Sequence, residues 1–412
     1  MLRPRLSKPE RGRGRSKLTS LQQVCAPDKI GAVTFNNSSL DRWNKFVAAS
    51  PYGDVMQCLE WGDVKRPDWQ PIPLAIENGD SFKATALVLK RALPLGRSIL
   101  YVPRGPVLDW NDREAANAIV KKLKALARAH RAILIKVDPA VPSNTPDVAD
   151  TLRDLGFAPS PDADNGFGGT QPRCVMKTDI GGKTDEEVQA RFHQKWRYNV
   201  RLAAKKGVVV KSDCTRDDIV IFHELYRVTA ERDGFTGRPL SYFEKMLDAL
   251  QPKGLAKLFL TFYNDQPLSG AICFLLPPQC WYVYGASSNE HRNVMPNYAM
   301  QWAMMQWARD NGCTIYDFRG VADDAKSNPS ATSSTRSEEK PDEKADNHLQ
   351  GLNRFKEGFG AQLVDYVGEW DLVLNPTAYW AWTKGKPKLI AALKNRKRKA
   401  VVAESPRQKI AQ

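Results

Sequence analysis

The segment running from Trp281 to Gly360 constrains the fold more than any other part of this chain of 412 residues. Trp281, Tyr282, Val283 and Tyr284 read as a strand, and Ala299 to Arg309 carries Ala299, Trp302, Ala303, Met304, Met305 and Trp307 at helical spacing. Gly312 stops that helix and Thr314 to Phe318 resumes as a strand. Strand, helix and strand in this order predict a parallel pair joined by a crossover. A lone lysine follows in an aromatic, glycine-rich context, RFKEGFG.

The same order of elements is legible further upstream. Leu40 to Ala49 reads as a short helix, Ile72 to Ile76 and Thr85 to Lys90 as a hairpin turning at Asn78, Gly79 and Asp80, Asp109 to Arg131 as containing a helix, and Ala132 to Val137 as a buried strand. In the second half, Glu187 to Lys206 and Arg216 to Asp233 read as helices, and Ala256 to Tyr263 and Gly270 to Leu276 as strands flanking a turn. Hairpin, strand, helix and strand thus occur twice, in a chain too long for one ordinary core. The expectation is a mixed α/β protein of two domains.

Six segments, in order, carry a resemblance: SPYGDVMQCLEWGDVK, LYVPRGPVLDW, IKVDP, RFHQKWRYNVRLAAKKG, the strand-helix-strand unit above and GLNRFKEGFG. Together they resemble the FemABX family of bacterial peptidoglycan-bridge aminoacyltransferases, over roughly residues 45 to 380. The resemblance implies two tandem acetyltransferase-like (GNAT-type) domains, aminoacyl-tRNA as donor and co-substrate with no separate cofactor, and as acceptor a stem-peptide amine of a peptidoglycan precursor, UDP-linked or lipid-linked. The domains it implies are 25–172 with 366–383, and 173–365.

Several residues acquire expected roles from it. Lys356 matches the lysine that faces the tetrahedral oxyanion, and Phe355 the residue whose backbone carbonyl meets the attacking amine. Asp138, at a predicted strand tip, matches an aspartate proposed as general base, and reads equally as a turn-initiating Asp-Pro. Lys65, Arg238, Tyr242 and Tyr284 match the set that contacts the acceptor's phosphates, in keeping with the chemistry of charge, forked donors and hydroxyls. Arg197, Arg201 and Lys205 form an i, i+4 stripe, with Lys195 beside it, which reads either as a face for tRNA phosphates or as a solvated helix face.

Charge adds a second theme. Residues 1–24 hold seven Lys/Arg against Glu10 and residues 384–412 hold ten against Glu404, so the two tails account for the whole net charge of +15. Such tails attract polyanions, tRNA and anionic membrane alike, or serve only as solubilising tails. Leu389, Ile390 and Leu393 beside the C-terminal cations suggest a reversible surface anchor at the inner face of the cell membrane. Residues 322–348 lack large apolar side chains and are expected to be a disordered insertion.

Apolar runs are too short to cross a bilayer, and seven cysteines without a C-x-x-C pair fit a reducing cytoplasm. Dinucleotide and P-loop signatures are absent, no histidine has metal-ligand spacing, and no nucleophile elbow is present. The leading expectation is a transfer of Gly, Ala or Ser to the precursor peptide. Two alternatives stand beside it: an enzyme of the same fold using acyl-CoA or another amine, and a non-catalytic protein that binds RNA or membrane.

Overall fold

The computed structural model describes residues 37–161, 170–321 and 351–385. The basic tails (apart from residues 384–385) and the 322–348 insertion lie outside the described residues.

The first sheet contains β1 (Gln70–Asn78), β2 (Ser81–Leu93), β3 (Arg97–Val102), β4 (Val107–Leu108), β5 (Ala132–Val137) and β6 (Ala158–Pro159). Pro71 and Pro73 confine β1 to the sheet edge, because proline lacks the N–H that a central ladder requires. β2 pairs antiparallel with β3, and β3 pairs parallel with β5. The crossover between them is the helix Arg113–Ala129, capped by the Asp112 carboxylate, which accepts from the Ala115 N–H at 2.9 Å. Ala115, Ile119, Leu123 and Leu126 of that helix are buried.

The second sheet repeats the plan with β7 (Cys174–Asp179), β8 (Val209–Lys211), β9 (Ala256–Tyr263), β10 (Gln266–Leu276), β11 (Gln279–Ser287), β12 (Ile315–Gly320) and β13 (Gln362–Asp365), in the order β13-β7-β12-β11-β10-β9-β8. β11 and β12 pair in parallel across the helix Pro296–Asp310, which ends where Gly312 adopts φ 81°. The last strand, β14 (Trp370–Val373), inserts between β5 and β6 of the first sheet. The protein is a mixed α/β molecule of two tandem units, each built on one of these sheets.

The units share apolar contacts. One core cluster contains Trp43, Trp61, Phe82 and Leu87 from the first unit with Phe222, Phe243, Phe274 and Trp281 from the second, and the Trp61 and Phe274 rings meet edge to face at 5.6 Å.

Two differences from the sequence expectation shape the second unit. The stretch Glu187–Lys206 is not one helix but two, Asp185–Ala190 and Gln194–Lys205. The break buries Phe192 against Trp302 and Phe359, and the His193 N–H leaves the helical ladder to donate to the Gly358 carbonyl at 2.9 Å. The helix Leu240–Leu250 had no counterpart in the sequence reading; it is short, and the Gly-Arg-Pro that precedes it signals a turn.

Candidate active site

Lys356 and its loop form the first part of the site. Residues 351–357 are helical, and the chain then turns through Gly358 and Gly360. A Cβ at Gly358 would lie 2.1 Å from the Trp196 indole, while Gly360 sits at φ 73° against the Arg191 carbonyl, so both glycines are required for the loop to close on the helix Gln194–Lys205. The Trp196 indole N–H donates to the Phe355 carbonyl at 2.9 Å. That bond orients the carbonyl and leaves its second lone pair available.

The Lys356 ammonium is 3% exposed and donates to the Gly320 carbonyl and, at 3.4 Å, to the Arg319 carbonyl. Desolvation pushes its pKa down to about 8, against an opposing contribution from Asp317. Among the described residues it forms no salt bridge. Phe355, Phe359 and Tyr298 pack edge to face around the loop, with Phe355 to Phe359 at 5.2 Å and Tyr298 to Phe355 at 5.3 Å.

The four residues expected to contact the acceptor's phosphates converge on one place. Lys65, at the end of the helix Leu59–Lys65, donates to the Tyr242 hydroxyl at 3.4 Å, and the Tyr242 and Tyr284 hydroxyls are 3.2 Å apart. The Arg238 guanidinium lies 5.3 Å from the centre of the Tyr242 ring, and the Lys65 ammonium 4.4 Å from that of Trp61. Burial, helped by the Arg238 charge, lowers the Lys65 pKa to about 8. Two cations thus approach two hydroxyls with no carboxylate salt bridge to either among the described residues. That arrangement suits an anion.

Asp138 ends β5 with 1% exposure, and both its oxygens are engaged: one accepts from the Tyr101 hydroxyl at 3.0 Å, the other from the Arg104 backbone N–H at 2.6 Å. Burial raises its pKa to about 7, with Arg104 opposing. Arg104 itself has φ 53°, so Asp138 holds a strained turn of the YVPRGP loop in place. Gln57 holds the same loop from the other side, donating to the Pro103 carbonyl at 2.5 Å while accepting from Leu87 N–H at 2.9 Å.

On the basic helix, Lys195, Arg201 and Lys205 are exposed, whereas Arg197 turns back to donate to the Ala190 and Phe192 carbonyls. Arg197 therefore satisfies carbonyls at the end of the preceding helix.

Sequence reading missed Arg319 and Asp54. Arg319 is 8% exposed at φ 60°; its guanidinium pairs with Asp54 of the first unit at 3.1 Å and lies 5.5 Å from the Trp281 ring, while its carbonyl holds Lys356. Asp317 accepts from the Arg319 N–H at 2.6 Å and stands 3.8 Å from Lys177. The run DFRG offered a signal only in its alternation of charge with bulk at the end of a predicted strand.

Known proteins resemble this chain over most of its length. The description "FemAB family" matches residues 39–264 and 253–384. The lipid II:glycine glycyltransferase of Staphylococcus epidermidis is 31% identical, covering 86% of this chain and 96% of that protein. Its namesake in Staphylococcus aureus is also 31% identical, covering 84% and 94%. The crystal structure of FemX superposes with a TM-score of 0.72 at 30% identity, covering 82% of this chain and 97% of that one.

Proposed function

The chain belongs to the FemAB family, and we propose that this transferase adds one glycine from a charged tRNA to the stem-peptide amine of lipid II. The observation that carries the reading is the buried Lys356 ammonium, held by two backbone carbonyls with no carboxylate salt bridge among the described residues.

In this reading the neutral acceptor amine attacks the ester carbonyl of the aminoacyl-tRNA, a C–N bond forms, and the carbonyl oxygen becomes an oxyanion. Lys356 turns its remaining N–H toward that oxygen, where the low dielectric strengthens its field. The Phe355 carbonyl, oriented by Trp196, accepts a hydrogen bond from the attacking amine. As the tetrahedral centre collapses, the C–O bond breaks and the ribose oxygen leaves with the proton given up by the amine. Asp138 positions the Arg104 turn.

Lys65, Arg238, Tyr242 and Tyr284 hold the acceptor's diphosphate. Lys195, Arg201 and Lys205 lie along the donor's phosphates, flanking Trp196. The basic C-terminal segment adds attraction to an anionic membrane surface.

The test is direct. The protein is incubated with a mixture of charged tRNAs and either lipid II or its UDP-linked pentapeptide precursor, and the product is weighed by mass spectrometry. A mass increment of one glycine residue is expected. An increment of another amino acid would correct the donor, and none at all, with transfer from acyl-CoA instead, would overturn the reading.

A further inference from the structure

In a lipid-linked precursor the diphosphate is esterified directly to a polyprenyl chain, so within a few bonds of the phosphates the molecule becomes hydrocarbon. A protein that grips those phosphates must therefore present an apolar surface next to its cations. The helix Ile219–Asp233 ends at Gly234, whose φ of 73° turns the chain outward, and residues 234–239 are all exposed. Phe235 in this loop is 42% exposed, its ring packed at 5.5 Å against Tyr226. Arg238 follows three residues later, which limits the separation along the backbone to about 10 Å. Tyr226 in turn meets Tyr284 at 6.4 Å, so the exposed ring is the outermost member of the aromatic cluster that carries the phosphate-facing hydroxyls.

We propose that Phe235 is the lipid-contacting lip of the acceptor site, seating the first isoprene units of a polyprenyl diphosphate as Arg238 and Lys65 hold its phosphates. The proposal rests on the acceptor assignment above. An exposed aromatic side chain flanked by a cation matches the boundary between headgroups and hydrocarbon, where the ring is removed from water and the guanidinium keeps its anion. The lip favours a lipid-linked acceptor over the soluble nucleotide-linked one.

The test uses the full chain and neutral phosphatidylcholine vesicles with or without lipid II, so that no other anionic lipid draws the basic segments to the surface. Bound fraction is read by sedimentation, and affinity for the UDP-linked pentapeptide by calorimetry. Phe235→Ser should weaken binding to the lipid II vesicles about tenfold relative to binding of the soluble precursor, and Phe235→Leu should retain it. Arg238→Ala should weaken both forms. Equal loss on both precursors in Phe235→Ser, or wild-type binding by that variant, would overturn the lipid contact while leaving the phosphate site intact. Failure of the wild-type protein to bind either precursor would remove the acceptor assignment and the lip together.

Discussion

A lysine ammonium stripped of water interacts more strongly with a developing oxyanion and also loses its proton more readily, and the role proposed for Lys356 carries both consequences. Replacing it with Met should lower turnover by about a hundredfold or more, the usual effect of deleting one oxyanion donor, with little change in precursor affinity. Because only the protonated form serves, and burial brings its pKa down to about 8, activity should fall as pH rises through that value. The acceptor amine works in the opposite sense, gaining activity as it deprotonates. A bell-shaped profile of turnover is therefore expected, and Lys356→Arg should move its falling limb to higher pH. A wild-type profile still rising well above pH 8 would rule the protonated lysine out.

Elements position that residue through an interlock. Within the second unit, Gly358 rests against the Trp196 indole. Gly358→Ala would insert a methyl 2.1 Å from the ring, and overpacking of this kind destabilises by about 1–3 kcal/mol. Turnover should drop with it, and Gly358→Ala combined with Trp196→Ala should lose less stability in a denaturant titration than the two single variants summed, without recovering turnover, since the bond to the Phe355 carbonyl would be gone.

Much of this architecture was legible in the sequence. The helix Arg113–Ala129 announces itself by an apolar stripe, and β1 and β2 by the Asn-Gly-Asp turn between them. The break at residues 191–193 was not, because the apolar spacing on either side of it is continuous and what bends the chain is a carbonyl more than 160 residues away, that of Gly358. The site divides in the same way. Lys356, Lys65 and Arg238 stand in recognisable motifs, whereas Arg319 and Asp54 are 265 positions apart, and nothing local marks either as half of a pair.

Over the whole molecule, buried charge and buried hydrocarbon bind the two units into one body. A line of groups runs from Asp138 and Arg104, whose guanidinium lies 4.9 Å from the Tyr366 ring, through Lys177, 5.3 Å from the same ring, to Asp317, Arg319 and Asp54. Asp54→Ala would leave the Arg319 charge buried and unpaired, a loss of about 3–5 kcal/mol. Trp61→Ala opens the core where the units meet and should remove a similar 3–5 kcal/mol. Both variants should unfold in a single transition, as should the wild type. Two transitions that separate in either variant would show that the units are independent.

The path of β14 has its own implication for how the protein is made. The first sheet begins at Gln70 but receives the strand between β5 and β6 only at Trp370–Val373, after every strand of the second sheet has been synthesised. On the ribosome, at roughly 5–20 residues per second, the first unit must wait with an open slot in its sheet for about 10–40 seconds while the second assembles. The order of emergence thus inverts the order of completion: the unit that leaves the tunnel first is the last to finish, and its strand gap is the place where a chaperone would be needed.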